Sequence, residues 1–413
     1  MARGSASGHA DGREAVDFRD SPEEAAFRAE VRRFIAENLP PAYRQREPEW
    51  GMFNTARTRS PVPPEELRLW RKRLAARGWI APAWPKEYGG AGMSVVEQFI
   101  FNEEMAEARV PGAGGIAVGW AGPTILTHGT EEQKRRFLPG ILSGEETWCQ
   151  GFSEPGAGSD LASLQTRAVR DGDDYVINGQ KIWTSGAHHS QYMILLARTD
   201  PDAPKHRGIS YFVVDMKSPG ISIQPLINML GDHSFNQVFF ENVRVPRANL
   251  IGEENRGWYV GTTTLDFERS SIATSVQMTH IVRDFATFVR GERGGANRLR
   301  QVPWLRLELA ERAVEAQVAR LLSYQVISLQ KRGLIPNKEA SVAKLYTSEL
   351  DQRLLATGMK LLGLYGQRLD PGAPLGGRMA RGYMAATAST IGGGTSEIQR
   401  NIIATRGLGL PRG

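Results

Sequence analysis

Cysteine is almost missing from this chain. Cys149 is the only one in 413 residues, so no disulfide can form within it. Such thiol usage fits a reducing compartment, and a cytoplasmic location is the expectation. No uninterrupted apolar run is long enough to cross a bilayer. The N-terminal stretch MARGSASGHADGREA lacks the apolar centre of a signal peptide and reads as a mobile tail over residues 1–20. Also lacking are a G-x-x-x-x-G-K-[ST] loop, an H-E-x-x-H helix, any internal repeat, and a strand–G-x-G-x-x-G–helix unit. These gaps speak against P-loop, zincin and Rossmann-type sites. His188 and His189 have no further ligands at workable spacing, so no metal is expected and both read as structural or loop residues.

What is present is ordinary in bulk: 23% charged and 41% hydrophobic residues, as in a globular protein of two or three domains. The 51 basic against 45 acidic residues give a net charge of +6. That excess could attract nucleic acid, a membrane surface or cofactor phosphates. It is scattered, however, with only short groups such as Lys134-Arg135-Arg136 and no aromatic interleaving, so no nucleic acid and no membrane insertion are expected.

The hydrophobic period changes twice along the chain. From 21 to 146 it is helical, with Ser21 as N-cap, Pro22 at the first helical position and Glu23 and Glu24 in the first turn. From 147 to 252 short β-branched and aromatic runs (192–197, 209–216, 221–225, 237–245) are separated by Gly, Pro and Asp, the pattern of a small antiparallel barrel or sandwich. From 253 to 413 the chain is helical again, with helices expected over 262–290, 303–332 and 337–362, a last helical stretch from Met379, and a mobile loop at 291–296. The fold class is α+β, in the order helices, β domain, helical bundle.

Two pieces of local chemistry stand at the leading edge of the β region. Gly151 to Asp160 (GFSEPGAGSD) holds three glycines and two serines, and Gly156 and Gly158 permit positive φ and close backbone approach to a flat polar ligand. Ile177 to Gly186 reads as a hairpin turning at Asn178-Gly179, followed by Lys181, Trp183, Thr184 and Ser185. An indole beside hydroxyls suits an aromatic ligand with one covered face. In order and spacing these motifs resemble the flavin-binding stretches of the acyl-CoA dehydrogenase family, and helix–barrel–helix is that family's order.

The resemblance implies FAD as cofactor, with Gln150, Phe152, Ser153, Trp183 and Ser185 at the flavin ring and Ser159 near the CoA portion of a thioester. It further implies an acyl-CoA substrate, an electron-transfer flavoprotein as acceptor, and a homotetramer or mixed tetramer with a related chain. The chemistry needs a desolvated carboxylate to take the proton α to the thioester carbonyl. In many family members that glutamate precedes a Gly-Thr near the C-terminus, where this chain has Gly393 in Gly392-Gly393-Gly394-Thr395-Ser396-Glu397. Other members carry it on the first long helix after the β domain, directly before an arginine. Here that position is Glu268, before Arg269 on the substrate side. Helical spacing places Glu268 on a stripe with Leu265, Ile272 and Val276, where it serves as the base or pairs with Arg269 or another cation.

Thr395 and Glu397 fall on the cofactor side of the C-terminal turn, Glu397 in a first helical turn with a Ser396/Gln399 capping box. The family's arginine-plus-Phe-Gly motif is absent, and Lys360 to Gly366 replaces its glutamine-initiated Gly-Gly turn, which leaves the adenine and pyrophosphate contacts open. The expected activity is FAD-dependent α,β-dehydrogenation of an acyl-CoA. The alternatives are an oxidase of the same fold, a DNA-binding flavoprotein, and a non-catalytic partner subunit as Gly393 suggests. The acyl group is not legible.

Overall fold

A computed structural model of the chain describes residues 19–45, 50, 62–110, 115–266, 272–291 and 295–411. The N-terminal tail expected over 1–20 lies outside these except for its last two residues. Six helices come first: α1 (Pro22–Asn38), α2 (Pro41–Gln45), α3 (Pro64–Ala75), α4 (Val95–Glu107), α5 (Gly122–His128) and α6 (Glu131–Ser143). Three of them start in the same way. Ser21, Ser94 and Thr130 each accept from the backbone N–H three residues on, while Glu24, Glu97 and Gln133 reach back to the cap's own N–H. Each box satisfies two amides that would otherwise lack partners. The apolar faces meet in one core of Val31, Phe34, Trp70, Trp79, Phe101 and Phe137, with Phe34 edge-on to Trp79 at 4.7 Å.

The strands follow: β1 (Trp148–Gly151), β2 (Arg167–Asp171), β3 (Asp174–Lys181), β4 (Tyr192–Arg198), β5 (Ile209–Asp215), β6 (Ile221–Ile227), β7 (His233–Pro246) and β8 (Leu250–Ile251). Their order is β6-β7-β3-β2-β4-β5-β8, with β1 parallel to β4. The halves join at one residue pair, Arg167 with Arg198. Among the described residues β6 and β8 do not pair, so the sheet folds over as an open sandwich rather than closing into a barrel. β4 and β5 are near-continuous apolar runs because both of their faces are buried. Ile194, Leu196, Tyr211 and Val213 pack on the N-terminal helices, while Met193, Leu195, Phe212 and Val214 face the second half of the sheet.

Asn178-Gly179 is not a turn. β3 runs through it and pairs with β7 from Asp174 to Lys181, with a register shift between Ile177 and Gly179. The hairpin turns instead at Gly172-Asp173, with Asp171 opposite Asp174 and Gly172 at φ 62°. Both Asp-Gly and Asn-Gly carry the turn signal; continued pairing of Gln180 and Lys181 with Phe239 and Val238 selects the first.

The C-terminal part comprises α7 (Gly257–Asp266), α8 (Ile272–Arg290), α9 (Gly295–Gln301), α10 (Trp304–Lys331), α11 (Asn337–Leu362), α12 (Arg378–Ala385) and α13 (Ser396–Ile402). Of the loop expected at 291–296, Gly295 and Ala296 already belong to α9. Buried ion pairs join the two helical parts. Glu103 on α4, 1% exposed, accepts from Arg28 of α1 at 2.6 Å and from Arg320 and Tyr324 of α10 at 2.7 and 2.8 Å. Arg28 also reaches Glu104 at 2.7 Å. No helix among the described residues is long and apolar enough to cross a membrane.

Candidate functional site

The two glycine-rich and indole-bearing motifs are clamped together. Lys181, at the end of β3, is fully buried and donates to the Phe152 carbonyl at 3.0 Å and the Glu154 carboxylate at 2.7 Å. Glu154 also accepts from the backbone amides of Gln165 and Thr166 at 2.6 and 2.9 Å. Burial works to raise the Glu154 carboxyl, but Lys181 and these amides outweigh it and hold it below the ordinary value. Burial pulls the Lys181 ammonium down to about 8 against the attraction of Glu154. One residue further, Ile182 N–H donates to the Ser153 carbonyl at 2.9 Å. Gln150 and Ser153 are half-buried at the rim, and Phe152 is buried edge-on to Tyr211 at 6.1 Å.

Trp183 leaves this clamp with φ 59° and its side chain 60% exposed. A left-handed backbone at a bulky residue costs on the order of 1–3 kcal/mol and persists where neighbours impose it. Here Thr184 N–H donates to the Asn236 carbonyl at 3.0 Å and Gly186 N–H to the Ser234 carbonyl at 2.9 Å, both on β7. The indole is steadied by the Phe235 edge at 6.0 Å. Ser185 is exposed beside it, whereas Thr184 is buried.

Gly156 and Gly158 do not have positive φ. No atom lies within 4 Å of where a Cβ would stand at either, so they leave an open approach rather than filling a tight turn. Ser159 is exposed next to Asp160, which pairs with Lys205 at 2.7 Å. His206, next to Lys205 in the chain, is edge-on to Trp258 at 4.6 Å, and Arg256, bridged to Ile209, lies over the Tyr259 ring at 4.2 Å. This basic and aromatic surface adjoins the Ser159 loop.

α7 ends close to the Phe152 side. Thr264 hydroxyl is 2.7 Å from that of Thr124 on α5 and 3.4 Å from the Tyr211 hydroxyl. Burial pushes the Tyr211 phenol up, so it stays protonated. The chain thus enters 267–271 from a fixed point; Glu268 and Arg269 themselves lie outside the described residues. On the stripe expected with Glu268, Ile272 and Val276 are buried against Phe99.

Thr395 and Glu397 lie apart, on the helical side, where α13 and α11 border a cleft of about 500 Å³. The helix is capped by Thr395, whose hydroxyl accepts from Ile398 N–H at 3.2 Å, and not by Ser396 as its sequence suggests. Gly393 and Gly394 both have positive φ, 67° and 86°, and Lys344 donates to the Gly394 carbonyl at 2.7 Å. That left-handed turn shifts the start of the helix back by one residue. Ser396 Oγ is left buried with no hydrogen-bond partner, beside the cleft. Glu397 is fully exposed, and the helix's own amide and Thr395 keep its carboxyl low, so it is a solvated anion rather than a desolvated base.

These donors fit a dinucleotide flavin cofactor: an exposed rigid indole and hydroxyl in one place, a spare buried hydroxyl and an open cleft in the other. The Lys181–Glu154 pair, the Tyr211–Thr264–Thr124 link and Asn236 do not stand out in the sequence. A lysine at an inward strand position was the available signal for the first; the other two join residues too distant in sequence to show.

Three family descriptions match the chain in succession: "Acyl-CoA dehydrogenase, N-terminal domain" over 21–145, the middle domain over 149–243 and the C-terminal domain over 255–408. Acyl-CoA dehydrogenase FadE26 of Mycobacterium tuberculosis is 38% identical over 406 residues, covering 95% of this chain and 98% of that protein. The solved Tcur3481-Tcur3483 steroid ACAD superposes with a TM-score of 0.82 at 36% identity, covering 96% of this chain and all of that one. The ChsE4-ChsE5 complex from Mycobacterium tuberculosis gives 0.81 at 37% identity, with 96% and 100% covered. The chain belongs to the acyl-CoA dehydrogenase family.

Proposed function

We propose that the protein binds FAD and removes the α and β hydrogens of a bulky, steroid-derived acyl-CoA, with Glu268 as the base. The observation that carries the reading is the clamp of Phe152 and Ser153 onto the turn bearing Trp183 and Ser185, with the end of α7 tied beside Phe152 through Tyr211 and Thr264. When bound, FAD supplies the acceptor for the β-hydride. Trp183 covers the ring, while Gln150, Ser153 and Ser185 meet its polar edge. Thr395 and Glu397 border the cleft that takes another part of the cofactor. Ser159 and the neighbouring Lys205 and Arg256 offer the CoA phosphates donors and charge, and Tyr259 offers the adenine a ring.

Glu268 takes the α proton onto its carboxylate; Arg269 follows it on the substrate side. Gly393 leaves the alternative base position without a side chain. Its left-handed backbone would strain any glutamate placed there, so Gly393→Glu is a poor rescue. The steroid-derived substrate class is suggested by the likeness to the Tcur3481-Tcur3483 steroid ACAD. An electron-transfer flavoprotein is the proposed acceptor, and a homomeric or mixed tetramer the assembly. The proposed domain limits are 146/147 and 252/253.

Glu268→Gln tests the reading. It should retain FAD and ligand yet slow flavin reduction by about 10²- to 10⁴-fold, the usual effect of removing a general base. Anaerobic stopped-flow with a panel of straight-chain, aromatic and steroid-derived CoA thioesters reads both the base and the substrate class. Normal reduction by Glu268→Gln overturns the base; reduction only by short straight chains overturns the substrate class; turnover with oxygen alone identifies an oxidase.

A further inference from the structure

Asn236, wholly buried on β7, holds both backbone groups of Thr184. Its carbonyl accepts from Thr184 N–H at 3.0 Å, and its side-chain nitrogen donates to the Thr184 carbonyl at 2.9 Å. A carbonyl can only accept, so this contact fixes which end of the amide is nitrogen. The same nitrogen lies 3.0 Å from His188 Nδ1, and the amide oxygen lies 2.7 Å from His233 Nε2. His188 Nδ1 must therefore be an unprotonated acceptor, while His233 carries a proton on Nε2. The His188 ring stacks on His233 at 3.9 Å and 16°, with His189 against it at 3.9 Å. No group of His, Cys, Asp and Glu among the described residues is arranged to hold a metal ion.

We infer that Asn236 is a positioning residue for the Trp183–Ser185 turn, and that it holds the turn only while His188 is neutral. This rests on the reading that the turn faces the flavin. A proton on His188 Nδ1 would set an N–H against the Asn236 N–H, and the amide could satisfy the Thr184 carbonyl or avoid the imidazolium but not both. Released, the Thr184 carbonyl loses its buried donor and the left-handed Trp183 backbone loses one of its restraints.

The titratable groups facing His188 are His189 on its own turn and His233 on β7; behind them Asp232 is paired with Arg381 of α12 at 2.8 Å. Burial first, then the charges of His189 and His233, keep His188 below the usual imidazole value. In the released turn His188 returns to about 6.5. The released turn thus binds the proton more tightly, so the hold is complete above that pH and weakens as pH falls below it.

The test is FAD binding to the apoprotein between pH 8 and 5.5, followed by flavin fluorescence, with thermal unfolding of the apoprotein as a check on the fold. The wild type should lose roughly tenfold in affinity between pH 7.5 and 5.5, a tenfold change corresponding to about one pH unit of coupled protonation. His188→Gln offers Asn236 an acceptor at every pH and should remove the acid dependence, while His189→Gln should keep it. Asn236→Asp puts an acceptor where the donor stands and favours a charged His188, so its affinity should rise on acidification. A flat wild-type profile, or an undiminished acid loss in His188→Gln, overturns the inference. Trp183→Ala is run alongside. If it weakens FAD binding while the wild type is flat, only the inference fails. If Trp183→Ala leaves the affinity unchanged, the flavin reading fails and the inference with it.

Discussion

Lys181 shows how much of the site rests on single side chains that touch no ligand. Its ammonium meets both the Phe152 carbonyl and the Glu154 carboxylate, so it joins the end of β3 to the Gly151–Asp160 loop. An ion pair this deep adds little over a well-packed apolar pair, because both charges lose their water. Removing one partner is another matter. Lys181→Met should leave Glu154 charged, buried and short of a cation, and lower stability by about 3–5 kcal/mol. Lys181→Met with Glu154→Leu should regain most of that stability while the loop and the Trp183 turn lose their shared anchor, so FAD affinity should stay reduced. Chemical denaturation of both variants, with FAD titration, reads the two effects separately. Equal stability of the single and double variants would mean that the pair is not acting as a unit. At this scale the sequence was partly legible: the residues around a flat ligand stand out by type, but the buried groups that aim them do not.

At the scale of elements, β3 carries the clearest lesson. Its Asn178-Gly179 has the turn signal, yet the strand runs on because a bulge there lets Lys181 turn inward at its end. Gly179 has φ 144°, and a Cβ on it would lie 2.7 Å from the Thr166 backbone on the chain leading into β2. Gly179→Ala therefore has to push that segment away, which disturbs the Thr166 amide bound to Glu154 and the Thr166 hydroxyl bound to the Gln180 carbonyl at 3.1 Å. The expected loss is about 2 kcal/mol or more, above that for an ordinary surface change. Thermal unfolding checks it, and a change under 0.5 kcal/mol would show that the bulge tolerates a side chain. Helices whose ends carry local signals were legible: Ser21 begins α1, and α11 spans Asn337–Leu362 as its spacing predicts. Where two signals compete within a few residues, distant pairing decides, as at Gly172 against Gly179 and at Thr395 against Ser396. Local chemistry alone could not rank them.

For the whole molecule, the buried network around Glu103 fixes the N-terminal helices on α10, and the opposite face of α10 exposes apolar side chains. Its inner face packs through Leu305, Ala316, Ala319 and Val326. Outward, Leu307, Val314 and Leu321 stand at seven-residue spacing, 74%, 64% and 51% exposed, with Trp304 at the head of the same stripe. Seven residues are close to two helical turns, so these side chains form a seam along one side of a 28-residue helix. A leucine or valine moved from water into a contact contributes about 1.5–3 kcal/mol, so Leu307, Val314 and Leu321 in register favour association strongly. The protein should therefore be an oligomer, whether of identical chains or with a related chain, and α10 should lie in the contact. Leu307→Arg with Leu321→Arg places two charges on the seam without touching the buried face, and should lower the mass by light scattering while helical circular dichroism is retained. A wild-type monomer at micromolar concentration, alone and with the related chain, would contradict the prediction. So would an unchanged mass in the double variant, which would place the contact on another face such as that of Leu364 and Tyr365, also exposed.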